Sequence, residues 1–520
     1  MKDHMQGRRR NRAGIAVTAI AALVSLVACS ANPQSSEAAA RNNSNGTIKI
    51  GSIFPPGTLD PTTGTQGSDL AYLDFTFDRL LQNNPKTGEL EPMLATSWKF
   101  AGTKKLELKV SLRHGVKFQD GTPFNAQAVV QYSNDFIKAG NIGNLLQYVT
   151  NVTASGTYGV VYHLSQPNAQ LPNGLAGRAG MIPSPAAVKK EGKNFGNHPV
   201  GAGPYKFVSE VQGASYKFTR YDGYWNDDKL PRVKNIEFKI FQSDTSLVTA
   251  IRGGNVNVAF HLASQDVKTL KSLSNLKVSV SPGPAVSLAY FNGSRKPFDD
   301  RRVRLAFNLA LDRKSIAKAV TDGLGQAATQ PRPPGTLGYV KSLDPVWKHD
   351  PARAKRLVKN AGYTNGVDIT CFEYPGLNFE VAAPIIISQE KAVGINLKIV
   401  PGTPAQVGPF FTNKAKAQCG LANYTGSNAF VAYQLLWSKA YYNAGKVNFG
   451  IDQYYNKLYS TYTTAEEKKV FYKINDTEKS NPGYAIMFRA PLVNVYQKGI
   501  GGWVASPLGI NHWRGLHYTS

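Results

Sequence analysis

The chain has 520 residues, 42% hydrophobic and 18% charged, with a formal net charge of +26. That length exceeds what one hydrophobic core organises and sets an expectation of two or three domains. The apolar share excludes a disordered chain, and three cysteines are too few for a disulfide framework.

Arg8, Arg9, Arg10 and Arg12 precede an apolar run from Ala13 to Val27, followed by Ala28-Cys29-Ser30. A basic start, a short apolar stretch and small residues before a cut make an export signal. The stretch is shorter than the roughly 20 apolar residues of a membrane span. Cys29 directly after Leu26-Val27-Ala28 resembles the bacterial lipobox. That resemblance implies a signal peptide over 1–28, diacylation of Cys29, and an extracytoplasmic protein anchored to the outer face of the cell membrane. The plainer alternative is an ordinary signal peptide with Cys29 incidental. Residues 29–45, rich in Ser, Ala and Asn, read as a flexible tether. Cleavage removes five basic and one acidic residue from 60 and 34, leaving 55 and 33, or +22. Such a charge favours contact with anionic wall polymer or lipid. The export signal and the dispersed basic residues argue against nucleic acid.

Thr47 to Phe54 alternates as the first strand of the body. Leu59-Asp60-Pro61 breaks into a loop, and Asp69 to Leu81 reads as a helix. Leu106 to Leu112 alternates strictly, which predicts a half-buried strand. Thr122 as cap and Pro123 in the first turn predict a helix to about Lys138. Arg302 to Val320 carries apolar residues at helical spacing. Asp350-Pro351 opens another helix, closed by Gly362. Asp368 to Tyr424 is the most regular stretch: strand 369–373, helix 379–393 closed by Gly394, strand 395–400, helix near 405–414, strand 419–424. A β-α-β-α-β order implies a parallel sheet with right-handed crossovers. Ligands of such sheets gather at the carboxyl ends of the strands. Cys371 and Cys419 fall on the first and third of these strands, either as one disulfide or as two buried thiols.

Several segments then carry a resemblance. Glu91-Pro92-Met93-Leu94-Ala95-Thr96-Ser97-Trp98 is followed by Leu112-Arg113-His114-Gly115-Val116-Lys117-Phe118-Gln119-Asp120-Gly121-Thr122-Pro123-Phe124. Pro199-Val200-Gly201-Ala202-Gly203-Pro204-Tyr205, Tyr221-Asp222-Gly223-Tyr224-Trp225, Pro297-Phe298-Asp299-Asp300-Arg301-Arg302-Val303-Arg304 and Leu309-Ala310-Leu311-Asp312-Arg313 come next, in order. In this order and spacing the chain resembles the family-5 extracellular solute-binding proteins, the peptide, nickel and oligosaccharide receptors of ABC importers. Read as residues, these motifs are turns, caps and close backbone approaches, so they speak for the fold more than for the ligand.

The resemblance implies an α/β, two-lobed, periplasmic-binding-protein-like fold of type II with an extra subdomain. A large lobe would span 46–285, a small lobe 286–487, and 488–520 would return to the large lobe. The chain would cross between lobes near Ala289-Tyr290-Phe291 and Ala485-Ile486, and the cleft would close by hinge motion. The implied role is capture of a peptide-like or oligosaccharide-like solute and delivery to permease subunits, as a monomer, without cofactor or catalysis. A nickel or metal-chelate receptor, or a signalling-peptide receptor, is the alternative on the same fold. The chain has no Gly-x-Ser-x-Gly, His-Glu-x-x-His or Cys-x-x-Cys, which speaks against a hydrolase.

In peptide-binding members the third strand of the small-lobe unit ends in an Ala-Asp-Tyr-like sequence whose Asp pairs with the peptide ammonium. Here Ala422-Asn423-Tyr424 stands in that place. Glu373-Tyr374-Pro375 aligns where some dipeptide receptors carry an Arg for the carboxylate. A hydrogen bond to a charged group contributes about 1.5–3 kcal/mol, a neutral pair about 0.5–1.5. Asn423 therefore suits a neutral polar ligand, and Glu373 remains a displaced countercharge for a cationic one. Asn423, Tyr424, Tyr374, Glu373, Trp437 and Phe54 are the candidate ligand residues. Aromatic walls with few polar groups suit enclosed small-molecule sites, although each aromatic alone is more often core.

Overall fold

The computed structural model describes residues 45–64, 68–85, 87–140, 145–373, 379–402, 417–426, 428–440, 443–503 and 513–519. Cys29, the signal segment, the tether up to residue 44, Tyr374 and the helix expected near 405–414 lie outside the described residues.

The body opens with β1 (Thr47–Ser52), in which Ile48 and Ile50 are fully buried. The helix Asp69–Thr76 follows, ending five residues earlier than its apolar pattern suggests. The reason is a close crossing. The Thr76 carbonyl accepts from the Gly203 N–H at 2.9 Å, and a Cβ on Gly203 would stand 2.6 Å from the Thr76 carbonyl carbon. The chain then forms the hairpin β2 (Leu81–Asn83) and β3 (Leu90–Pro92). β4 (Ala95–Ala101), β5 (Glu107–Leu112), β6 (Val149–Ala154) and β7 (Gly159–Leu164) make an antiparallel sheet in the order β4-β5-β7-β6. The alternation of Leu108, Val110 and Leu112 fills one face, and the helix Ala126–Ala139 covers it. Asn125, not Thr122, caps that helix: its side chain accepts from the Ala128 N–H at 3.1 Å. Thr122 and Pro123 belong instead to the preceding turn, where the Thr122 carbonyl accepts from Phe118 at 2.9 Å.

β8 (Tyr205–Val211), β9 (Ser215–Arg220) and β10 (Asn235–Ile240) form an antiparallel ribbon. After the helix Asp244–Arg252 comes β11 (Val258–Phe260). β1 runs parallel to both β10 and β11. β12 (Leu276–Phe291) then leaves this lobe. The helical stretch expected from 302 to 320 is two helices, Arg301–Ala310 and Arg313–Val320, split because Asp312 turns out to cap the second. β13 (Gln326–Ala327) and the helix Pro351–Asn360 follow, the latter capped by Asp350 as its sequence indicates. β14 (Val367–Glu373), the helix Ala382–Ala392, β15 (Ile395–Pro401) and β16 (Cys419–Tyr424) give the expected parallel unit, with β14 between β15 and β16. Cys371 and Cys419 are register partners across β14 and β16 and form a disulfide. The helices Asp452–Leu458 and Thr464–Glu478 precede β17 (Tyr484–Gln497). β18 (Ile500–Gly501) and β19 (His517–Tyr518) pair near the carboxyl end.

One sheet runs through both lobes, in the order β15-β14-β16-β12-β17-β11-β1-β10-β9-β8. β12 and β17 join them. Residues 276–282 pair with 491–497 beside β11, and residues 286–290 pair with 484–489 beside β16. The register breaks between Pro282 and Val286. Pro282, Pro284 and Pro491 supply no N–H there, so the ladder is thin at the crossing. Arg489 compensates in part. Its guanidinium donates to the carbonyls of Gly283, Pro284, Gln330 and Pro331 at 3.0–3.2 Å.

The lobes also touch away from this crossing. Tyr148 meets Tyr459 edge-on at 5.0 Å, and Phe100 meets Tyr462 at 4.9 Å. The Gln170 amide donates to Glu467 at 2.7 Å, and the Ala169 N–H donates to the Tyr459 carbonyl at 2.7 Å.

The small-lobe core encloses Glu478, 1% exposed, with Arg304 nearby. Burial pushes its carboxyl up to about 8, against the Gly483 N–H and the Arg304 charge, which favour the ionised form. Burial raises Glu390 as well, against Arg313. The folded state therefore holds protons that the unfolded chain releases near pH 4.5. The stability that Glu478 contributes is full below that pH and falls as pH rises toward 8, and Glu390 acts in the same direction. Glu478→Gln is expected to shrink the difference between urea midpoints at pH 5 and pH 8.5. An unchanged difference would show that Glu478 does not titrate in this window.

Candidate functional site

The carboxyl ends of β1 and β11 in the large lobe and of β14 and β16 in the small lobe carry most of the described candidate site residues, and Trp437 follows the helical turns after β16. Local hydrogen bonding and ring packing position the described ones.

After β1 the chain is held by its own side chains. Ser52 Oγ accepts from the Phe54 N–H at 2.9 Å, and the Tyr72 hydroxyl donates to the Phe54 carbonyl at 2.8 Å. The Phe54 backbone is thereby pinned while the residue as a whole stays 44% exposed. Edge-on to that ring, at 5.8 Å, lies His261, the residue after β11. His261 is exposed and adopts φ +60°, a strained setting for a non-glycine residue. Its N–H donates to the Asn494 side chain at 3.3 Å. In the sequence His261 is one scattered histidine among eight. Its position at the end of a short apolar run, Val258-Ala259-Phe260, is the one signal that could have found it.

On the small lobe, Asn423 is exposed near the end of β16, beside its register partner Ser287 on β12. The Ser287 hydroxyl donates to Asn423 Oδ1 at 2.6 Å. That bond takes one of the two acceptor positions of Oδ1. The following loop is fixed by Arg332, which donates to the Gly426 carbonyl at 3.0 Å. A Cβ on Gly426 would stand 2.4 Å from the Ala432 Cα, so no side chain fits there. Asn428 caps the next helical turn through Val431 at 2.9 Å.

Glu373, at the end of β14, accepts from the Phe379 N–H at 3.2 Å. Partial burial pushes its carboxyl up, and Glu380 adds to the shift. Tyr424 is buried, with its hydroxyl donating to the Val431 carbonyl at 2.6 Å. Trp437 is 2% exposed and stacks on Tyr455 at 5.2 Å, itself stacked on Phe430 at 4.8 Å. Its indole N–H has no acceptor among the described residues. Tyr424 and Trp437 thus belong to the small-lobe aromatic core, whereas Phe54 and Asn423 present themselves to solvent from opposite lobes.

The pattern described as bacterial extracellular solute-binding proteins, family 5 middle, matches residues 89–448. The chain belongs to the family-5 solute-binding proteins. A glutathione-binding protein, GsiB, of Escherichia coli O1:K1 is 28% identical over 487 residues, covering 89% of this chain and 93% of that one. Among solved structures, the DppA periplasmic binding protein of Helicobacter pylori in complex with the peptide STSA superposes with a TM-score of 0.78. It is 21% identical, over 92% of this chain and 98% of the other. NikA of Staphylococcus aureus, in complex with Ni(L-His)2, gives 0.75 at 18% identity, over 91% and 99%. As in its family, the two lobes flank a solute site and the role is binding for import. Among the described residues no helix is long and apolar enough to cross a membrane.

Proposed function

We propose that this family-5 protein is a lipid-anchored receptor for a peptide-like or oligosaccharide-like solute that lacks an isolated free ammonium at its anchored end. The supporting observation is the pair Ser287–Asn423. The usual acid is replaced by a neutral amide, and Ser287 occupies one of the two acceptor positions of its oxygen at 2.6 Å, leaving N–H donors and one uncharged acceptor position for the guest. Donors recognise carbonyl, hydroxyl or carboxylate oxygens; an ammonium finds there a neutral acceptor in place of the carboxylate and is held the more weakly for it. A capped peptide, a γ-linked peptide such as glutathione (in which a carboxylate neighbours the ammonium) and a sugar all meet this condition. Phe54 and His261 form the facing wall, and Glu373 accepts a donor on the guest. Cys29 tethers the receptor at the membrane, where permease subunits receive the loaded form. Cys29→Ala is expected to release the protein to the medium, and retention in the membrane fraction would remove the anchor from this reading.

A thermal-shift panel of dipeptides, N-acetylated peptides, glutathione, oligosaccharides and a nickel–histidine chelate tests the ligand class. Capped, γ-linked or sugar ligands should raise Tm and free dipeptides should not. Asn423→Asp should gain dipeptide binding at least tenfold, since a charged acceptor contributes about 1.5–3 kcal/mol. Tight dipeptide binding by the native protein, weakened in Asn423→Ala, would overturn the proposal.

A further inference from the structure

Asn494 and Tyr496 point to the same face of β17, by the two-residue period of a strand. On that face a cavity of about 180 Å³ separates β11 and β17 from the segment carrying β18 and β19. Val258, Ile500 and Leu516 make its wall apolar, while Asn494, Trp503 and Lys277 bring polar groups to it. Asn494 is fully buried, and its Nδ2 has no acceptor among the described residues. The buried indole N–H of Trp503 has none there either. Buried donors without acceptors are costly, and a bound acceptor removes the cost. Lys277, exposed at the same cavity, adds a positive charge. No acidic residue stands among its described lining residues.

We propose that this cavity is a second binding site, separate from the cleft, for a small carboxylate with an apolar body. The carboxylate accepts from Asn494 Nδ2 and Trp503 Nε1 and faces the Lys277 ammonium, and the body packs against Val258, Ile500 and Leu516. Asn494 also holds the His261 N–H, so the occupant lies one side chain from the cleft wall.

Benzoate titrated onto the purified full chain tests this site. Tryptophan fluorescence reads it, because Trp503 lines the cavity and stacks on Trp513 at 6.2 Å. A saturable change is expected, weakened at least tenfold by Lys277→Met and unchanged by Lys498→Met, a charge-matched exposed control. Benzyl alcohol, of similar size and uncharged, should bind at least tenfold more weakly. An unsaturable response, or an equal response in Lys277→Met, overturns the site. Loss of the response in Asn423→Ala would place benzoate in the cleft and overturn it too. A benzoate-soaked crystal holding only water in the cavity would also end the proposal.

Discussion

Replacing Arg514 with Met is expected to lower the unfolding free energy by about 3–5 kcal/mol, the usual cost of removing one partner from a buried ion pair. Asp78, fully buried, faces Arg514 and also accepts from the Tyr224 hydroxyl at 2.9 Å and the Trp225 indole at 2.6 Å. Arg514 in turn donates to the carbonyls of Asp74 at 2.5 Å and Phe77 at 2.7 Å. One guanidinium thus ties the carboxyl-terminal turn to the helix Asp69–Thr76 and the loop after it. Met keeps much of the volume but leaves the Asp78 charge without its countercharge. Urea denaturation checks the loss. Adding Asp78→Leu should recover part of it, because the orphaned charge is then gone. A loss under about 1 kcal/mol in Arg514→Met would show the clamp to be dispensable.

The second large effect concerns Cys371 and Cys419. They are 48 residues apart in sequence, and closing a loop of that length in the unfolded chain contributes about 4 kcal/mol on the chain-entropy account. The double variant Cys371→Ala with Cys419→Ala should therefore lose about 4 kcal/mol in guanidinium denaturation. Dithiothreitol added to the native protein should reproduce the loss once the bond is reduced. Apart from the bond, the strand of Cys371 is held in register by β15 and that of Cys419 by β12, so the native fold should survive and ligand binding persist below the new midpoint. Equal stability with and without the bond would show that the loop is already restrained when unfolded.

Much of the fold is legible in the sequence because local pattern and tertiary demand agree. Ile369, Cys371 and the alternation of 395–400 describe half-buried strands, and the structure uses them so. Legibility fails where a distant partner decides. The helix beginning at Asp69 carries apolar residues on to Leu81, yet ends at Thr76 to meet Gly203, more than a hundred residues away. Thr122-Pro123 looks like a helix start, but Asn125 takes the cap. The crossing reads as apolar strand at 289–291, whereas the register break lies at Pro282 to Val286 and depends on Arg489. The site shows the same division. Asn423 is marked by its place at a strand end. Its partner Ser287, 136 residues earlier, carries no local mark, and neither does His261. Tyr424 and Trp437 are aromatic residues near the cleft by chain position, but core packing and cleft lining look alike in one dimension.

The contacts between residues 100–170 and 459–467 have a kinetic corollary. Swinging the halves apart means parting Tyr148 from Tyr459 and Gln170 from Glu467 as well as flexing the paired crossing strands. The dwell time of a captured molecule is then governed in part by contacts the protein makes with itself, so release to a transporter can be tuned at this catch as well as through the groups that grip the solute.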